Sequence, residues 1–373
     1  MEIGIIDADL IGRGEHNFPN LACMKLSGYH KKRGDIVKLV HYDDIDPNCL
    51  FHSNFDKVYI SKAFTDTKCP EHLLKLSFVK YGGTGFFYDK AENLPYEIEH
   101  SFPDYNLYNE WIKEKIKRGK KESYFKYYTE YSIGFTTRGC FRGCEFCVNR
   151  NEKKVYPHSP LSEFVDKKRK KICLLDDNVL GCGQHWERIF KELQATGKPF
   201  QFKQGMDIRI LSEKKAKLLS ESRYDERPYF AFDNIEDKLL IENKLKILNN
   251  YWIERKHIAI LYVFCGFDRN DKYDLDFWVN DIIDLFERIS VLMKYRCSPY
   301  IMRFNKWEES PFYQLYSIIC GWGNMPQSYT QKSFREYVNE QLNKKSLLDF
   351  EKQYPEIASK YFDMKFEDNK IQH

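Results

Sequence analysis

Short apolar runs alternating with amphipathic stretches constrain this chain more than any other feature. The runs 131–137, 172–176, 200–204, 229–233, 258–266 and 300–304 read as strands. Between them, helical patterning appears near 160–170, 184–196, 212–222, 236–250 and 276–295. Strands separated by helices return by crossovers and therefore lie parallel. This α/β pattern of six strands suits an incomplete parallel (β/α)6 barrel over 131–305. The working face of such a barrel is the C-terminal end of its strands, where the strand-to-helix loops gather.

The first 90 residues repeat the alternation on a smaller scale. Strands are expected over 2–7, 35–41, 57–60 and 76–79, with a helix within 19–32, giving a small doubly wound parallel sheet of the Rossmann-like kind. A glycine cluster, Gly82-Gly83-Thr84-Gly85, follows the last of these strands. The stretch 91–130 holds Pro95 and Pro103 and little periodicity, so it reads as a linker draped over the domain that follows. Residues 306–373 read as a helical C-terminal extension with a frayed end over 366–373.

Hydrophobic residues at 42% and charged residues at 31% describe an ordinary globular protein. The opening residues lack a basic leader, and no run approaches the roughly 18 apolar residues of a membrane span, so a cytoplasmic protein without a membrane partner is expected. A net charge of +4 does not single out a nucleic-acid binder, and the basic runs 113–121 and 167–171 read as solvated helix faces or linker. Of the eleven cysteines, Cys23, Cys49, Cys69, Cys173, Cys182, Cys265, Cys297 and Cys320 stand alone. Most of these are expected to be small buried apolar side chains, and none forms a Cys-x2-Cys pair that would hold a second cluster.

The remaining three form Cys140-x3-Cys144-x2-Cys147 directly after an expected strand. Three thiolates on one tight loop can each ligate one iron of a cubane, leaving the fourth iron open for a substrate or cofactor. Gly139 and Gly143 let the backbone wrap closely, and Arg138 and Arg142 offset the charge of a thiolate-ligated cluster. A structural zinc site generally wants four protein ligands, and no Cys or His follows at a familiar spacing. The alternative from a different class is a non-catalytic iron–sulfur or zinc module that recognises a nucleic acid or protein.

This motif, with the aromatic Phe146 before its last cysteine, resembles the signature of the radical S-adenosylmethionine (SAM) superfamily, and the six-strand pattern resembles that family's partial barrel. The resemblance implies a 4Fe-4S cluster on Cys140, Cys144 and Cys147 as both metal and catalytic site. It further implies SAM on the open iron, with Phe146 near the adenine. One electron from the cluster would cleave SAM to methionine and a 5′-deoxyadenosyl radical that abstracts a substrate hydrogen. A low-potential donor such as flavodoxin or ferredoxin would supply the electron.

On the same resemblance, polar residues at the later strand ends should serve SAM and substrate. Asp177, then Asp176, is the candidate for the SAM amino group, where many family members have Gly-Gly-Glu and this chain resembles the subgroup with paired acids. Asp177 or Asn178 capping the next helix is the alternative. Arg209 suits the SAM carboxylate and Gln204 a ribose or substrate hydroxyl, although Arg209 pairing with Asp207 or Asp233 is equally open. Asp233 ends the fourth strand, Gly266 lets backbone approach adenine, and Arg303 faces an anionic substrate. The first domain resembles the cobalamin-binding domain of one subgroup, with Gly82-Gly83 where the cofactor's nucleotide tail passes. The Asp-x-His-x-x-Gly pattern is absent; Asp7-Ala8-Asp9 and Gly28-Tyr29-His30 stand instead, so a vestigial domain that packs or holds substrate is the other reading. With cobalamin, methyl transfer is implied; without it, rearrangement, oxidation or methylthiolation. The substrate stays open among a small molecule, a nucleotide, RNA and a peptide.

Overall fold

The structure is a computed structural model and describes residues 1–14, 16–45, 54–252, 257–341 and 344–366. It is an α/β protein with parallel sheets, divided into two compact units, Met1–Leu175 and Asp176–His373.

The first unit holds β1 (Glu2–Asp7), β2 (Ile36–Leu39), β3 (Lys57–Ser61) and β4 (Val79–Gly82). All pair in parallel, in the order β2-β1-β3-β4. Central β1 buries five residues in succession, as a strand covered on both faces must. The helix Leu21–Lys32 starts at Asn20, whose side chain accepts the Ala22 and Cys23 N–H groups at 3.1 and 3.3 Å. β4 begins at Val79, where the expected run ends, because 76 still belongs to the turn that closes Leu76 N–H onto Leu73 O.

The stretch 91–130 is part of this unit's core. Ile98, Tyr105, Leu107, Tyr108, Ile112, Phe125 and Tyr128 pack with Ile3, Ile5, Cys23, Met24 and Leu26. Its short helices, among them Asn109–Lys117, present these side chains from separate turns, so no single period marks them in sequence. Tyr105 also donates to Phe164 O at 2.6 Å and accepts the Ile133 N–H at 2.8 Å. That ties the stretch to β5 (Tyr131–Gly134), which pairs in parallel with β8 (Lys171–Leu174).

The expected strand 131–137 is interrupted. Thr137–Arg138 forms β6, paired antiparallel with β7 (Tyr156–Pro157). The helix expected near 160–170 is only a short 3-10 turn, Leu161–Glu163. Within the basic run 167–171, Arg169 is buried and donates to Tyr128 O (2.7 Å), Tyr131 O (2.9 Å) and Tyr105 O (3.1 Å). That arginine caps backbone carbonyls, so this run is not simply a solvated face. The run 113–121 is as expected, with surface pairs Lys113–Glu110 and Arg118–Glu114.

The second unit holds β9 (Phe200–Phe202), β10 (Tyr229–Ala231), β11 (Ile260–Cys265) and β12 (Ser298–Arg303). β10, β11 and β12 form a parallel sheet in that order. Helices His185–Ala195, Glu213–Ser220, Lys238–Tyr251 and Leu275–Lys294 fall where the helical period places them. The last buries Trp278, Ile282, Leu285, Ile289 and Leu292, a stripe at three- and four-residue spacing. Glu287 on its other side gathers Lys238 and Lys360, each at 2.7 Å, and the Tyr361 hydroxyl, so it latches helix Pro355–Tyr361 in place. Among the described residues, no helix is long and apolar enough to cross a membrane. Cys49 and the tail 367–373 lie outside the described residues.

Candidate active site

The cysteines hang in a single loop whose neck is the β6–β7 ribbon. Arg138 stands opposite Tyr156, and the His158 N–H donates to Thr136 O at 2.9 Å. Gly139 sits at φ 84°, and a Cβ there would lie 2.3 Å from Lys154 O, so only glycine lets the two sides of the neck pass. Beyond it the Cys147 N–H donates to Cys144 O at 2.9 Å, which curls these two cysteines into one turn. The Asn149 N–H points at Cys147 Sγ from 3.4 Å. All three thiols are half-buried, and none is in a disulfide.

A second anchor comes from the end of the first sheet. The Tyr88 hydroxyl donates to Phe146 O at 2.5 Å, and Asp89 accepts from Arg150 at 2.7 Å and Asn151 at 2.9 Å. The Arg150 hydrogen bond is the main reason the Asp89 carboxyl titrates below its ordinary range. Tyr88 holds φ 49°, a left-handed conformation costly for a non-glycine residue and sustained here by its contacts. Neither Tyr88 nor Asp89 belongs to a motif, so sequence reading missed both.

The donor set fits a cubane: three soft thiols on one loop, with a backbone N–H already aimed at one sulfur. Among the described residues, no three His, Cys, Asp or Glu side chains converge on the position of one metal ion.

The other candidates belong to the second unit. Asp176 is buried and Asp177 half-buried. The turn Val179–Gly181 that follows has no side-chain cap from Asn178. Gln204 is exposed. Arg209 pairs with Asp207 and Asp237, each at 2.8 Å, so its second carboxylate is Asp237 where the sequence offered Asp233. Burial lowers the affinity of Arg209 for its proton, but the two carboxylates outweigh it and hold the guanidinium charged.

Asp233 accepts the Phe264 N–H at 3.1 Å; burial pushes its carboxyl up to about 6 against the pull of Arg288. Arg288 is itself buried and donates to Phe232 O, Asp233 O and Phe264 O at 3.2, 3.1 and 2.7 Å, capping the ends of β10 and β11. Gly266, at φ 75°, gives its N–H to Asp281 at 2.9 Å, and the Tyr316 hydroxyl reaches the same oxygen at 2.6 Å. Sequence reading missed Asp281, Arg288 and Tyr316. A signal was present: Asp281 and Arg288 fall two helical turns apart, on the face that also carries Leu285 and Leu292.

Arg303 is exposed, stacks 3.8 Å over Trp307 and donates to Ser317 at 2.9 Å. Cys265, Cys297 and Cys320 are buried, and burial pushes their thiols up, to about 12 for Cys297 and about 11 for Cys320. Cys23, Cys173 and Cys182 are buried as expected, and Cys69 is half-buried.

No protein-family model matches the chain, and no curated protein matches it. Among solved structures it is similar to the cobalamin-dependent S-adenosylmethionine radical enzyme OxsB with aqua-cobalamin bound. The identity is 15% and the TM-score 0.45, over 85% of this chain and 55% of that one. The chain thus spans about half the length of that enzyme.

Proposed function

We propose that this protein is a radical SAM enzyme. The observation that carries the reading is the Cys140-x3-Cys144-x2-Cys147 loop, with half-buried thiols, closed at its neck by a ribbon that follows a parallel strand. Cys140, Cys144 and Cys147 would hold a 4Fe-4S cluster, which when bound supplies the electron that cleaves SAM to methionine and a 5′-deoxyadenosyl radical.

The chain's own residues do the holding. Gly139 permits the neck, the Asn149 N–H stabilises the Cys147 thiolate, and Tyr88, Asp89 and Arg150 fix the far side of the loop. Phe146, whose carbonyl Tyr88 holds, is assigned to the adenine. In the second unit Asp176 and Asp177 are assigned to the SAM amino group, Gln204 to a hydroxyl and Gly266 to the adenine edge. Arg209 is assigned to the SAM carboxylate, although Asp207 and Asp237 already pair with it at 2.8 Å each. Asp233, held near neutrality in its proton affinity, is a candidate to hold a proton at its free oxygen.

Cobalamin is not needed for this reading. His30 is buried and bound to Asp35 (2.7 Å) and Tyr59 (3.1 Å). Of the pair Gly82-Gly83, Gly83 is accounted for by packing, since a Cβ there would meet Lys62 O at 2.3 Å, whereas Gly82 has open space around it. The proposed reaction is the functionalisation of a substrate C–H bond, with the electron from a flavodoxin- or ferredoxin-type donor.

The test is anaerobic reconstitution with iron and sulfide, reduction, addition of SAM and assay of 5′-deoxyadenosine. Formation in the wild type and its loss in Cys144→Ala is the expected outcome. Equal formation in both would contradict the assignment of the cluster to this loop.

A further inference from the structure

The neck of the cysteine loop borders a cavity of about 210 Å³, whose walls include Asn93, Tyr96, Glu99, His100, Arg138 and His158. We propose that this cavity binds a small oxyanion, a phosphate or a carboxylate, on the Arg138 guanidinium.

Arg138 carries the argument. Its guanidinium lies 4.0 Å over the Phe135 ring, and among the described residues it makes no hydrogen bond and no ion pair. A guanidinium presents five N–H donors in a fork that matches two oxygens of a carboxylate or phosphate. The half-buried Arg138 side chain therefore offers its donors to the cavity with no protein acceptor among the described residues already on them.

The other charges around the cavity are already matched. Glu99, the one carboxylate in its wall, is 2.8 Å from Lys25 Nζ and 3.4 Å from His158 Nε2. His100 Nδ1 is 2.8 Å from Glu163, and His158 Nδ1 is 3.0 Å from Ser159 Oγ. Burial pushes His158 down to about 4, so it is neutral at physiological pH and leaves Arg138 as the cation the cavity presents. The rings of His100 and His158 stack at 5.0 Å, and Tyr96 lies tilted against His100 at 4.3 Å, so aromatic rings line the cavity.

Size narrows the ligand. Pockets for drug-sized molecules run from roughly 300 to 1,000 Å³. At about 210 Å³ this one is large enough for inorganic phosphate or a short carboxylic acid. Oxyanion binding here is read without any cluster or SAM, so its failure would leave the radical SAM reading standing, although Arg138 also lies two residues before Cys140.

The experiment uses the full chain at low ionic strength, titrated calorimetrically with inorganic phosphate in one arm and pyruvate in the other. We expect one of the two to bind, which identifies the oxyanion. In Arg138→Gln its affinity should fall at least about tenfold, the scale of a lost charge-assisted hydrogen bond. Should that variant fail to fold, wild-type protein is treated with phenylglyoxal and Arg138 modification is read by peptide mass spectrometry; the oxyanion should protect it. Binding of neither ion up to about 10 mM, a concentration that reveals even millimolar affinity, would overturn the proposal. Equal affinity in Arg138→Gln, or modification unaffected by either ion, would do the same.

Discussion

Asp7 ends β1 with its carboxyl among apolar neighbours, and what it does there is set by burial. It accepts from the Tyr108 hydroxyl at 2.8 Å and from the Leu10 N–H at 3.2 Å, yet burial outweighs both and pushes it from 3.8 up to about 6. The folded protein thus holds this proton more tightly than the unfolded chain does. Its stabilisation is complete below about pH 4 and is lost as pH rises through about 6. Asp7→Asn keeps an acceptor but cannot ionise, so the variant should gain on wild type between pH 4 and pH 7, by about 3 kcal/mol at most. Denaturant unfolding at the two pH values measures this; an unchanged difference would mean that Asp7 is not held neutral by the fold. From sequence, Asp7 was legible as the last residue of the expected strand 2–7 and as the start of Asp7-Ala8-Asp9. Its partner Tyr108 lies far along the chain, and no local pattern announces such a pair.

Elements were more legible than residues. β1 matches its expected span, and the six later strands start within two residues of theirs, because an apolar run between polar helices leaves few other readings. The misses are where tertiary contacts decide. Pro160 and the buried Arg169 make 160–170 an irregular segment, and the aromatic side chains of 91–130 fill a core that no period reveals. Helix Leu21–Lys32 shows the price of such contacts at one position. A Cβ on Gly28 would sit 2.0 Å from Phe102 O, while Ser27 and Lys31 bind Asp104 at 2.6 and 2.8 Å. Gly28→Ala should therefore destabilise the protein by about 2 kcal/mol or more, the scale of overpacking against backbone. Gly14, with open space around it, serves as the control: Gly14→Ala should change the thermal midpoint little. Equal effects at the two positions would refute the packing described for the 102–104 backbone.

At the scale of the whole molecule, the cysteine triad was legible because its spacing is local. The supports of its loop were not, since they come from Tyr88 and Asp89 on a different element. The strand-end polar residues fell between: their positions followed from the strand pattern, but their partners, Asp237, Asp281 and Arg288, lie on other elements of the second unit. On the proposed function, Cys140, Cys144 and Cys147 hold an iron–sulfur cluster with one iron open to SAM. Electron paramagnetic resonance of the reduced, anaerobically reconstituted protein tests it most directly, recorded before and after SAM is added. A cluster signal that SAM shifts is expected. A signal indifferent to SAM, or a protein that binds zinc in place of iron when purified anaerobically, would contradict it.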